Sequence, residues 1–148
     1  MTGYGNTEST IWQSLDCSMR QMKLDFEDRR LALQTQLDAA KSQTERNQMG
    51  QFATPTGLAV DILQYALAHF SETERIRFLD PAIGTGAFYS ALLQVFGKDR
   101  IDRAVGYEID PHYALPAADL WNSNGLELHV GDFIREQPPN PSEQCNLL

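Results

Sequence analysis

The chain has 148 residues, 42% hydrophobic and 22% charged, with 12 Lys+Arg, 20 Asp+Glu and a formal net charge of −8. That length supports one hydrophobic core and not two, and the mix is globular rather than disordered, collagenous or disulfide-stapled. Through Gly50 there are six basic and seven acidic residues, and beyond it six and thirteen, so no basic face is available to neutralise phosphates and a self-sufficient nucleic-acid binder is disfavoured.

The opening MTGYGNTEST has neither a basic start nor an apolar run, so no secretory signal is expected. No stretch approaches ~18 uninterrupted apolar residues, so no membrane partner is expected either. Cys17 and Cys145 lie far apart without metal-type spacing, which suits a reducing, cytoplasmic location.

Residues 8 to 48 read as one long helix, because no Gly or Pro occurs between Asn6 and Met49. Thr7, Ser9 or Thr10 could each cap its start, and Gly50 closes it. Ile11, Leu15, Met19, Met22, Phe26, Leu33, Leu37 and Ala40 form one apolar stripe, interrupted by charge at Arg29–Arg30. Forty helical residues span roughly 60 Å, against a radius of gyration of about 13 Å for a hundred-residue globule. Such a helix must overhang the rest or fold back on itself. Packing along its own domain, or a self-associating coiled coil, is preferred to a DNA-contacting helix because its charges nearly balance. The chain divides into a helical arm over 1–48 and a second unit over 49–148.

From residue 51 the pattern alternates. A helix over Thr56–Phe70 is expected, capped by Thr54 with Pro55 at its first position. There follow a strand at Arg77–Asp80, a helix at Gly86–Phe96, a strand at Ala104–Glu108, a helix around Tyr113–Trp121 and a strand at Leu126–Val130. Asn146–Leu148 opens a fourth strand. Strands alternating with helices imply an α/β fold with a parallel sheet.

The strongest local signal is Asp80-Pro-Ala-Ile-Gly-Thr-Gly-Ala-Phe88, between the first strand and its helix. Gly84 and Gly86 permit a sharp turn and close approach of a ligand, and the helix that starts there offers backbone N–H groups. Glu108 ends the second strand, 22 residues past Gly86, where an acid can accept from both hydroxyls of a ribose. Asp132 follows the third strand, placed to accept from an adenine amine with Phe133 against the ring. Tyr89 replaces the third glycine of the dinucleotide fingerprint, and no G-x-x-x-x-G-K-[ST] occurs. Asp80, Glu108, Asp110 and Asp132 should crowd one sheet edge, where they would repel a pyrophosphate. They suit a ligand with a sulfonium and an ammonium, which favours S-adenosylmethionine.

The order Gly50-Gln-Phe-Ala-Thr-Pro55, Asp80-Pro-Ala-Ile-Gly-Thr-Gly-Ala-Phe88, Gly106-Tyr-Glu-Ile-Asp-Pro111 and Gly131-Asp-Phe133 resembles the adenine-specific (N6) DNA methyltransferases of restriction–modification systems. The resemblance covers roughly residues 47 to 148. It implies a Rossmann-like methyltransferase fold in which Phe52, Thr54 and Pro55 close over S-adenosylmethionine. Asp80, Ala82, Gly84 and Gly86 would hold its methionine end, Glu108 its ribose, and Asp132 with Phe133 its adenine. Ala53 departs from the family, which often has a bulkier side chain there.

That family methylates an adenine flipped out of the duplex, through an Asn/Asp-Pro-Pro-aromatic loop after the fourth strand. No such motif occurs in these residues, so no catalytic residue is assigned. Pro138-Pro-Asn-Pro141 has the composition without the order or the aromatic, and reads as a surface loop. The resemblance implies an amino-terminal cofactor-binding part with an incomplete sheet, truncated ahead of its catalytic motif, inactive alone and reaching DNA only through a missing carboxyl-terminal part. Strand one would be central, leaving Ile76, Phe78 and Leu79 on an open apolar edge, so self-association or a complementing subunit is expected. His69, His112 and His129 lack ligand partners at metal spacing, and no metal is expected. Arg75, Arg77, Lys98, Arg100 and Arg103 gather at the opposite end of the strands and read as solvated surface. Three other readings stay open: a methyltransferase of a non-DNA substrate, a nonenzymatic adenine-nucleoside-binding module, and a structural coiled-coil protein.

Overall fold

The computed structural model describes residues 25–141 and 144–148. The expected caps Thr7, Ser9 and Thr10, the stripe residues Ile11 to Met22, and Cys17 lie outside the described residues. Helix α1 covers described residues 25–39 and is followed by α2 (Gln43–Gln48) and α3 (Thr56–Leu67). Then β1 (Ile76–Asp80), α4 (Ala87–Val95), β2 (Ile101–Glu108), α5 (Pro111–Trp121) and β3 (Leu126–Val130) alternate. The fold is α/β, with a parallel three-stranded sheet in the order β1-β2-β3, compatible with a Rossmann-like arrangement.

The single helix expected over 8–48 does not run through its last part. It stops at residues 40–42, and Ser42 opens α2 with a reciprocal cap: its hydroxyl accepts from the Glu45 amide while the Glu45 carboxylate accepts from the Ser42 amide at 2.8 Å. A Ser-x-x-Glu cap offers the chain a new start and relieves the length mismatch by a turn. At α3 the N-cap is Pro55, with φ −59° and ψ 138°, and Thr54 makes no capping bond. That helix ends at Leu67, short of the expected Phe70.

Along β1 and β2, Ile76, Phe78, Ala104, Gly106 and Glu108 are buried, and alternate positions point to the other sheet face. The buried face packs on α4 and α5 through Tyr89, Leu92, Ala117 and Trp121, while α3 adds Ala59 and Leu63. The rings of Tyr89 and Trp121 meet edge to face at 5.2 Å. Two consecutive β-α-β crossovers in one direction put their helices on the same side of the sheet.

Asn146 and Leu147 lie along the other edge of β1. Leu147 forms a parallel bridge with Phe78, the Leu79 amide donates to the Leu147 carbonyl at 3.0 Å, and the Arg77 amide to Asn146 Oδ1 at 2.7 Å. The edge expected to be open at Ile76, Phe78 and Leu79 is thus engaged at Arg77 and Leu79, and the Ile76 and Phe78 side chains are buried under the helices. No helix among the described residues is long and apolar enough to cross a membrane.

Candidate functional site

All three strands end on one cavity of about 710 Å³, well within the range of small-molecule sites. Its walls include Phe52, Thr54, Asp80, Ala82, Gly84, Glu108, Asp132 and Phe133, so the structure brings together most of the residues singled out from sequence. Pro55 and Gly86 are not on the walls. Pro55 starts α3. Gly86 is occupied from behind by Trp121: a Cβ there would lie 2.4 Å from Trp121 Nε1, and φ is +90°. Its lack of a side chain makes room for the Trp121 indole. Gly84, at φ +55°, has nothing within 4 Å of where a Cβ would lie and is the one of this pair that borders the cavity.

The turn after β1 is held from several directions. Asp80 Oδ1 accepts from the Ala82 amide at 3.0 Å, and the Ile83 amide donates to the Tyr107 carbonyl of β2 at 2.8 Å. Ile83 lies so close to Gly106 that a Cβ there would sit 3.0 Å from it. The Trp121 indole donates to the Thr85 carbonyl at 2.9 Å. Gly86 caps α4 without a side-chain acceptor, which leaves the first-turn amides free of a capping side chain.

Glu108 is buried, and both its oxygens accept from backbone. Oε2 takes the Gly84 amide at 3.0 Å and Oε1 the Asp110 amide at 2.9 Å. Each oxygen keeps a second lone pair for another donor. Burial pushes the Asp80 carboxyl above its ordinary value; the Ala82 amide opposes this, and the nearby Glu108 charge adds to it. Asp132 accepts from the Ile134 amide at 3.1 Å and pairs with Arg135 at 3.3 Å. Phe133 packs 5.2 Å from the Tyr107 ring. An apolar rim surrounds the mouth: Phe52 is 72% exposed, Ile109 53% and Ile134 89%. Ile109 and Ile134 were not picked out from sequence; apolar side chains one and two residues past the acids Glu108 and Asp132 were the available signal.

Asp110 departs from expectation. It does not join the cavity walls. Its Oδ1 accepts from the His112 amide at 2.9 Å to cap α5, and its Oδ2 is held by the Lys41 ammonium and by Gln51 Nε2 at 2.7 Å. Although burial opposes it, these donors bring its pKa down to about 2. Three carboxylates, not four, therefore border the cavity, and the fourth fastens the Gly50–Gln51 segment to α5. Because the folded pKa lies below the unfolded value of about 3.9, this clasp stabilises above that pH and is lost as pH falls toward 2. Partial solvent screening limits it to about 1–2 kcal/mol. Urea denaturation at pH 5 and pH 3 should show Lys41→Met removing that part of the acid-dependent loss.

The helix expected over these residues is present as α1, but its polar links to the site were not read from sequence. Arg30, which seemed to interrupt the apolar stripe, occupies the stripe position between Phe26 and Leu33 and is 1% exposed. It donates to Glu27 at 2.9 and 2.6 Å and to Thr85 Oγ1 at 3.3 Å. Burial raises the Glu27 pKa, but hydrogen bonds from Arg30, Ser90 and Thr56 outweigh it and hold the carboxyl below its usual range. Gln34 reaches the cavity wall and accepts from Thr85. Tyr113 donates to Asp38 at 2.8 Å, and His112 Nε2 meets the Leu37 carbonyl at 2.9 Å. The signal was present as charge at an apolar position, but a sequence cannot name the partners.

The other candidates are engaged elsewhere. His69 packs edge-on against Tyr65, and His129 contacts Glu127 at 3.0 Å. Arg75 and Arg100 donate to carbonyls of Asp99 and of Ser71, Arg77 donates to Gln144, and Arg103 pairs with Glu127. Pro138–Pro141 is exposed. No family model matches this sequence.

Proposed function

We propose that the cavity binds S-adenosylmethionine, as the cofactor part of a DNA adenine N6-methyltransferase. The observation that carries this reading is the charge of the walls: Asp80, Glu108 and Asp132 border the cavity, and no Lys or Arg lines it among the described residues. A pyrophosphate here would face these carboxylates without a lining cation among the described residues, whereas a sulfonium and an ammonium are attracted. The volume and the bare face of Gly84 leave room for such a ligand.

In this reading, Glu108 uses its remaining lone pairs on the ribose hydroxyls while the Gly84 and Asp110 amides hold it still. Asp80 faces the cationic end. Asp132 accepts from the adenine amine, and Phe133 with the apolar rim covers the ring. When bound, the cofactor supplies an electrophilic methyl group. Assignment of the acceptor to adenine in DNA is supported by the Gln51-Phe-Ala-Thr-Pro55 and Asp80-Pro-Ala motifs. Methyl transfer in this reading would need an Asn-Pro-Pro-aromatic motif, which these 148 residues do not contain.

Isothermal titration tests the pocket. Micromolar binding of S-adenosylmethionine without binding of NAD is expected; preference for NAD, or binding of neither, overturns the reading. The pH series carries a second signature. Because the Asp80 pKa is raised, its protonated fraction grows while pH is still above the ordinary aspartate value of about 3.9. A cation binds the ionised form, so affinity should weaken as pH falls through that range, with proton release on binding. Asp80→Asn should bind more weakly and lose this dependence.

A further inference from the structure

We infer that Arg30 of α1 is a positioning residue for the glycine turn, through which the helix sets how tightly the cavity holds its adenosyl ligand. The inference rests on the reading above for the ligand, but its structural half does not.

One buried ion pair joins three segments that border or support the cavity. The Arg30 guanidinium donates to Glu27, to Thr85 Oγ1 at 3.3 Å and to Thr56 Oγ1 at 3.1 Å. The Glu27 carboxylate accepts in turn from the hydroxyls of Thr56 and Ser90. Thr85 belongs to the turn after β1, Thr56 is the first residue of α3, and Ser90 lies in the first turn of α4.

Thr85 stands between Gly84 and Gly86, both at positive φ. Glycines on either side give that backbone more intrinsic conformational freedom than flanking side chains would allow. The Thr85 side chain is the only one between them, and it is 2% exposed, with Arg30 donating to its hydroxyl and Gln34 accepting from it. Simple docking of α1 would need only an apolar side chain at the stripe position. A buried pair carries a desolvation penalty that a hydrophobic residue of similar size avoids. What the pair contributes beyond packing is a set of directed hydrogen bonds, and one of them ends on the turn that carries the Gly84 amide to Glu108.

The test is a double-mutant cycle in the full chain, with Arg30→Lys, Thr85→Val and the combination. Two readouts are followed: S-adenosylmethionine affinity by titration, and ligand-free hydrogen exchange at the Gly84 and Gly86 amides, which donate to Glu108 and to the Ile83 carbonyl. Loss of a charge-assisted hydrogen bond predicts about tenfold weaker binding in each single variant. The double variant should be no weaker than the worse single variant, and exchange at both amides should be faster in all three. Multiplying losses, near a hundredfold in the double variant, would overturn the inference, as would exchange rates equal to the wild type. If the wild-type chain binds no S-adenosylmethionine while exchange still accelerates non-additively, the positioning role stands and the ligand reading falls. Thr85→Val leaves the Glu27–Arg30 pair intact, so it decides the exchange readout should Arg30→Lys fail to fold.

Discussion

A Gly86→Ala chain is expected to lose about 3 kcal/mol of stability, the sum of overpacking and left-handed backbone strain. The added Cβ would lie 2.4 Å from Trp121 Nε1 and 3.1 Å from Cε2, in a backbone at φ +90°. Trp121 cannot retreat easily. It is fully buried, its indole is bonded to the Thr85 carbonyl, and Tyr89 lies against its ring. Gly84→Ala is the control: φ is +55° but nothing lies within 4 Å, so only the backbone strain of about 1–2 kcal/mol applies. Urea denaturation of the two variants should separate them. If Gly84→Ala proves the more damaging to stability, the packing argument is wrong. On the proposed function the order reverses for binding, because Gly84 borders the cavity and Gly86 does not.

On the proposed function, Glu108→Ala should weaken S-adenosylmethionine binding by about a hundredfold or more, since the two charge-assisted hydrogen bonds proposed to the ribose would be lost. The same change strips the acceptors from the Gly84 and Asp110 amides and loosens both the glycine turn and the start of α5. Glu108→Gln keeps one acceptor oxygen and lacks the charge, so an intermediate loss is expected. Calorimetric titration gives the affinities, and a thermal unfolding scan shows whether each chain remains folded. Equal affinity in Glu108→Gln and wild type would mean that the carboxylate does not meet the ligand.

The strands and the helices between them were legible because their signals are short-range. Leu126–Val130 is alternating and bounded by Gly125 and Gly131, and the observed strand has those bounds. The carboxyl ends of β1 and β2 follow from an acid placed after an apolar run, and parallel pairing then carries Asp80 and Glu108 to the same edge. Helix ends were less legible. No Gly or Pro breaks the run of helix formers from residue 8 to 48, and the Ser42-x-x-Glu45 pattern that marks a new helix start was passed over among so many helix formers.

Composition, the order of glycines and acids, and the alternation of periods were enough, without coordinates, to define an α/β chain with a carboxylate-rich edge beside a glycine turn. These are properties of residues near one another along the chain. Which glycine faces ligand and which faces Trp121, which acid is spent on Lys41, and why Arg30 occupies an apolar stripe were decided only by tertiary structure. The reason is physical: each depends at least in part on a partner tens of residues away, and a buried charge or a missing Cβ has meaning only against what packs beside it.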